Sequence, residues 1–255
     1  MELLEQIQCG LDAMTPERRA WLHRAYALLP AQKRPRRILD VGCGRGGPTL
    51  ELARLGNELV GIDTDKWALE ELRTAAEAAG LADRVSVRQA SMLAIDFAAA
   101  SFDIVWSEGS IHVIGFEEGL ARWRPLLIPG GCLVVHESAW LRADPPPAAQ
   151  AYWTPRFPCI RTLESYAAAA GRLGYEWIGG FTFPETFWWE GYYRPLRERV
   201  RALRREHAGD RRAEEIFERK EAEIARYRRE MRWFGSAYLL MRDASGSRPV
   251  KGGAA

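Results

Sequence analysis

Short β-branched runs alternate along the chain with longer amphipathic segments, the pattern of parallel strands joined by helices. Arg37-Ile38-Leu39-Asp40-Val41, Leu59-Val60-Gly61-Ile62, Val85-Ser86-Val87 and Phe102-Asp103-Ile104-Val105-Trp106 read as four successive strands. A fifth, Cys132 to His136, follows the turn Ile128-Pro129-Gly130-Gly131. Helices are expected before the first strand, where Thr15 is an N-cap and Pro16 the first helical residue. Others span Trp67 to Ala79, ended by Gly80, and Phe116 to Leu127.

Beyond Ala139 the pattern breaks at Asp144-Pro145-Pro146-Pro147 and enters a loop rich in aromatics and prolines, Tyr152 to Pro158. A helix from Leu163 to Leu173 then leads to a sixth strand, Trp177 to Phe183. After an aromatic stretch, Phe187 to Tyr193, a charged helical segment runs from Pro195 to Arg232, and Ser236 to Met241 forms the last strand. The small, polar end, 244–255, lacks periodicity and reads as a disordered tail.

Composition narrows the class. The 255 residues carry 36 Lys+Arg against 34 Asp+Glu, a net charge of +2, so the large basic excess of a nucleic-acid binder is missing. No run approaches the roughly 18 apolar residues of a membrane helix, and the acidic opening Met1 to Glu5 is unlike a secretory leader. The chain therefore reads as cytoplasmic, with neither membrane nor nucleic acid as partner. Cys9, Cys43, Cys132 and Cys159 are too scattered for the paired spacings of metal or redox sites, so no metal is expected.

Ile38 to Gly47 places glycines where the first strand turns into a helix. Glycine there tolerates tight torsions and lets a ligand approach the main chain, while the helix N-terminus offers free N–H groups. Gly42-x-Gly44-x-x-Gly47 alone also satisfies the dinucleotide pattern, so an NAD(P)-binding oxidoreductase and a non-catalytic cofactor-binding module stay open. Asp40 two residues before Gly42, Gly61-Ile62-Asp63 ending the second strand, Gln89-Ala90-Ser91-Met92 after the third, Ser101 to Glu108 around the fourth and Pro129-Gly130-Gly131 before the fifth add further marks. Together, over about Ile38 to Ser138, they resemble class I S-adenosylmethionine-dependent methyltransferases. Trp106 to Ile111 and Gly115 to Gly119 look most like the bacterial small-molecule branch related to ubiquinone/menaquinone-biosynthesis enzymes.

The resemblance implies an α/β, Rossmann-like seven-stranded sheet with its last strand antiparallel and helices on both faces. One domain, 1–243, would include N-terminal helices in 1–30 and a helical insert or lid, 186–233, before the last strand. It also implies S-adenosyl-L-methionine as cofactor. Asp40, Gly42, Gly44 and Gly46 would meet the methionine end, Asp63 with the adjoining Thr64 the ribose, and Ser91 with Met92 the adenine. Many relatives carry aspartate where Ser91 stands. Ser107 borders the same site.

In an open α/β sheet the ligand lies beyond the carboxyl ends of the strands, which nominates Glu108, His112, His136 and Glu137 for the acceptor side. Glu108 and His112 are the candidate catalytic groups, His112 as a base titrating near neutrality or else a histidine packed in its loop. His136, in an apolar run, reads as a core histidine. Tyr152, Trp153, Trp188, Trp189, Tyr192 and Tyr193 form either an aromatic lid over a small-molecule acceptor or anchors holding the insert to the core. Charges of both signs at helical spacing between Arg194 and Arg232 read as a solvated face, compatible with a homodimer interface.

Overall fold

The computed structural model describes residues 2–11, 13–32 and 34–246. Its centre is a seven-stranded sheet of β1 (Arg37–Val41), β2 (Glu58–Asp63), β3 (Val85–Gln89), β4 (Phe102–Glu108), β5 (Leu127–Trp140), β6 (Tyr175–Thr182) and β7 (Phe234–Asp243). The strand order is β3-β2-β1-β4-β5-β7-β6. The first five strands are parallel, with Leu39 beside Val60 and Val105, while β7 inserts antiparallel between β5 and β6. Strands β1 and β4 are buried on both faces, as their near-continuous apolar runs require.

Helices α1 (Leu3–Gln8) and α2 (Pro16–Ala27) precede the sheet, and Thr15 Oγ1 caps α2 by accepting the Arg18 N–H at 3.2 Å. Next come α3 (Gly47–Arg54), α4 (Lys66–Ala78), α5 (Phe116–Trp123), α6 (Pro147–Trp153), α7 (Leu163–Arg172), α8 (Arg194–Glu206) and α9 (Arg211–Glu230). One sheet face is packed with Phe116, Trp123 and Tyr166, and the other with Leu22, Leu52 and Trp106. A third apolar cluster, built from Trp153, Phe217, Tyr227 and Phe234, joins α6, α8 and α9 to the end of the sheet.

The structure corrects several local expectations. The charged stretch before the last strand is two helices, because Gly209 takes a left-handed φ of +91° and Asp210 then caps α9 through the Arg212 and Ala213 N–H groups. The segment after Asp144 is not all loop: consecutive prolines start α6, where a proline costs no helix hydrogen bond. The aromatic run before α8 contains a π-helical turn, Trp189–Tyr193. Residues Ala244–Gly246, expected in the loose tail, form a 3-10 turn tied to Asp243, and the rest of that tail lies outside the described residues. Among the described residues no helix is long and apolar enough to cross a membrane, and no His/Cys/Asp/Glu cluster has metal-holding geometry.

Candidate functional site

Strand β1 ends at Val41, and the loop that follows holds Gly42, Gly44 and Gly46 at φ values of +72°, +50° and +74°. The N–H groups of Gly42 and Cys43 both donate to the Ile62 carbonyl, at 2.9 and 3.0 Å, which ties the loop to the end of β2. Gly44 N–H donates to Asp63 Oδ2 at 2.9 Å, and Asp63 Oδ1 accepts the Asp65 N–H at 2.9 Å. Loop and carboxylate are therefore one preorganised unit. The glycines differ in what surrounds them. A Cβ at Gly42 would lie 2.5 Å from Ser110 Cβ and one at Gly46 only 2.1 Å from Leu72 Cδ1, whereas one at Gly44 meets nothing within 4 Å. Packing demands the outer two; Gly44 borders open space.

That space is a cleft of about 720 Å³. Gly42, Gly44, Gly46 and Glu108 stand in its walls, together with Cys9 and Met14 from the segment between α1 and α2 and Arg18 from the first turn of α2. The other residues nominated for the cofactor support or flank it. Asp40 is buried and accepts a 2.6 Å bond from Thr49 Oγ1. Burial pushes its carboxyl up to about 7, against the Thr49 bond and with help from the Glu108 and Asp63 charges. Ser107 is wholly buried, its hydroxyl paired at 2.8 Å with that of Ser110, which donates to the Val41 carbonyl and so braces the loop. Thr64 is exposed and gives its carbonyl to Gln89 Nε2, while partly buried Ser91 accepts the Leu93 N–H; neither they nor Met92 or Asp63 line the cleft.

Glu108 ends β4. Its Oε1 accepts from Trp106 Nε1 at 2.8 Å and from Tyr238 OH at 2.6 Å. Burial raises this carboxyl above the usual range, against both bonds. Trp106 shares a strand face with Glu108 by two-residue alternation and could have been found in the sequence. Tyr238, on β7, carries no such local signal.

A second chamber, about 250 Å³, opens beside the first, and the two share Gly109, His136 and Trp188. His112 lies in its wall, with Nδ1 3.0 Å from Glu137 Oε2. That hydrogen bond raises His112 above the ordinary imidazole value, against burial. Burial alone would raise Glu137, but the His112 bond and charge and the Ser138 N–H leave it low. His136, expected in the core, lines both cavities; its Nε2 is 2.9 Å from Ser236 Oγ, which accepts from Trp188 Nε1 at 2.8 Å. Burial lowers His136 to about 4.

The six aromatic candidates separate. Trp188, Tyr192 and Tyr193 line the chamber, with Tyr193 also stacked on Tyr227 at 3.9 Å. Trp153 lies in the core, stacked on Phe234 at 3.8 Å, with Nε1 donating to Glu230 Oε2 at 2.6 Å. Tyr152 packs edge-on against Trp153 beneath the Arg156 and Arg226 guanidiniums, and Trp189 lies under those of Arg197 and Arg228. These three anchor the cover. Phe157, Glu223, Phe234 and Ser236 also face the chamber, although sequence reasoning nominated none of them.

A family model described as a methyltransferase domain matches residues 38–131. The sterol 24-C-methyltransferase of Eremothecium gossypii is 35% identical over 109 residues, 42% of this chain and 29% of that enzyme. The 24-methylenesterol C-methyltransferase 2 of Oryza sativa subsp. japonica is 30% identical over 165 residues, 60% of this chain and 46% of that enzyme. The chain thus spans less than half the length of these curated relatives. A SAM-dependent methyltransferase from Geobacter sulfurreducens, solved with S-adenosyl-L-homocysteine, superposes with a TM-score of 0.76 at 21% identity, covering 93% of this chain and 96% of that one. The chain has the fold of class I methyltransferases, and its residues 38–131 match the methyltransferase-domain model.

Proposed function

We propose that this protein is an S-adenosylmethionine-dependent methyltransferase that transfers a methyl group to a small-molecule acceptor by in-line displacement. The observation that carries the reading is the meeting of two cavities at Gly109, His136 and Trp188, one framed by the glycine loop and the other by ionisable and aromatic side chains. Such a junction is where a donor methyl group and an acceptor atom can be aligned, and positioning with desolvation supplies most of the catalysis in such a displacement.

The residues suit the cofactor. Open space at Gly44 lets a ligand approach the main chain, and Asp63, held by two N–H groups, presents a fixed carboxylate for ribose hydroxyls. Asp40, Gly42, Gly44, Gly46 and Glu108 would hold the methionine end, with Ser91 and Met92 toward the adenine, Thr64 beside the ribose and Ser107 bracing the loop. When bound, S-adenosylmethionine supplies a methyl group on positively charged sulfur. In this reading 1–243 is a single domain with N-terminal helices in 1–30 and 186–233 as its helical lid or insert, working in the cytoplasm. The narrower placement in the quinone-biosynthesis branch rests on Trp106 to Ile111 and Gly115 to Gly119; the matched curated enzymes are sterol methyltransferases, which share the core without selecting the branch.

Calorimetry with S-adenosylhomocysteine and with NAD tests the cofactor, and a cell-extract metabolite library screened for S-adenosylhomocysteine release tests turnover. Binding of NAD alone overturns the reading in favour of an oxidoreductase. Tight S-adenosylhomocysteine binding with no turnover of any metabolite favours the non-catalytic module. Light scattering on the purified chain tests whether α8 and α9 pair two copies.

A further inference from the structure

The acceptor chamber has a chemistry of its own. Two carboxylates, Glu137 and Glu223, face it, and no lysine or arginine lines it among the described residues. Trp188, Tyr192 and Phe157 supply aromatic surface. A wall of this kind attracts a compact cation and offers no lysine or arginine to a carboxylate or phosphate. The hydrogen-bond chemistry also fixes the tautomer of the neutral histidine. An ionised Glu137 can only accept, so His112 Nδ1 carries the proton between them and Nε2 is left with a free lone pair.

We propose that the chamber takes a compact amine lacking an acidic group, and that His112 Nε2, oriented by Glu137, is the base that removes the ammonium proton before methyl transfer. The inference rests on the methyltransferase reading of the adjoining cleft. The ammonium N–H bond breaks and its proton passes to His112 Nε2. The freed nitrogen lone pair forms the bond to the methyl carbon as the carbon–sulfur bond breaks. Its electron pair stays on sulfur, which leaves as a neutral thioether. His112 and Glu137 then form an ion pair that returns the proton to solvent, and the product is the N-methylated ammonium ion. Glu137 is a positioning residue.

Other titratable groups face the pair. They are His136 of β5, Cys159 in the segment before α7, Tyr166 of α7, Tyr192 and Tyr193 of the π-helical turn, and Glu223 with its partner Lys220 from α9. Burial lowers His136 and raises Cys159 and Tyr166, so these three stay neutral near pH 7 and His112 is the group that changes charge.

The test uses the full chain saturated with S-adenosylhomocysteine. Calorimetry compares tetramethylammonium, neopentyl alcohol and pivalate, and the cation should bind at least about tenfold more tightly than either isostere. With S-adenosylmethionine, a panel of small primary and secondary amines should release S-adenosylhomocysteine, while carboxylated counterparts should not. On the best amine, His112→Asn should lower kcat by on the order of 10²-fold with little change in KM, and should abolish the ascending limb of the pH profile. Glu137→Gln should move that limb to lower pH, because the group that raises His112 is gone. Unchanged S-adenosylhomocysteine affinity certifies that each variant is folded; where a variant fails this check, imidazole rescue of His112→Ala reads the same role. Failure of the wild-type chain to bind S-adenosylhomocysteine overturns the underlying methyltransferase reading. Normal binding combined with no cation preference, no amine turnover, or a full kcat and intact limb in His112→Asn overturns this inference alone.

Discussion

Tyr238 OH donates to Glu108 Oε1 across 2.6 Å, joining the antiparallel strand β7 to the end of β4 at the wall of the glycine-loop cleft. Removing only the hydroxyl, by Tyr238→Phe, leaves Trp106 Nε1 as the donor to that oxygen and keeps the ring packing. The expected cost is about 1–2 kcal/mol of stability in urea unfolding, with weaker S-adenosylhomocysteine binding by calorimetry. Wild-type values for both would show that the bond does not order Glu108.

Gly44 and Gly46 should respond in opposite ways. Gly46→Ala drives a Cβ into Leu72 and should destabilise the fold by about 1–3 kcal/mol. Gly44→Val projects into the cleft instead; its strain is limited to the left-handed backbone, about 1–2 kcal/mol, yet cofactor binding should vanish. Melting temperature and calorimetry, measured on both variants, separate the two effects.

Asp63→Ala removes the acceptor of both the Gly44 and Asp65 N–H groups as well as the expected ribose contact. Charge-assisted bonds of this kind are worth roughly 1.5–3 kcal/mol, so affinity for S-adenosylhomocysteine should fall by tenfold or more. Retained full affinity would count against the assigned role.

Asp40 gives stability a pH dependence with a definite sign. Its carboxyl holds a proton up to about pH 7 in the folded chain but ionises near its ordinary 3.8 when unfolded. The native state binds more protons across that window, so this contribution is present at low pH and is lost as pH rises from about 4 to 7. Asp40→Asn should flatten the change; thermal melts of both proteins from pH 4 to 8 give the comparison.

The aromatic cover can be divided by mutation. Trp153→Ala removes a buried ring stacked on Phe234 and should cost about 3–5 kcal/mol, with loss of the folded state before any kinetic effect is seen. Tyr192→Ala, on the partly buried chamber wall, should leave the melting temperature nearly unchanged and raise the acceptor KM.

Elements with a local code were legible from residues alone. Thr15-Pro16 announces α2, and the alternation from apolar runs to amphipathic segments announces the parallel sheet, because caps and periodicity are properties of neighbours in sequence. The glycine loop and Asp63 were readable for the same reason: a strand end that must turn tightly leaves glycine there. The Gly209 break between α8 and α9 also had a local signal that charge periodicity hid. What could not be read was pairing over distance. His112 meets Glu137 only because β4 and β5 lie side by side, and Tyr238 reaches Glu108 only because the final strand inserts next to β5. Trp153 and Trp188 look alike in sequence, yet one is stacked in the core and the other stands between two cavities. Burial and hydrogen-bond partners depend on how helices and strands pack, and that packing chose which aromatic rings anchor the cover and which face a ligand.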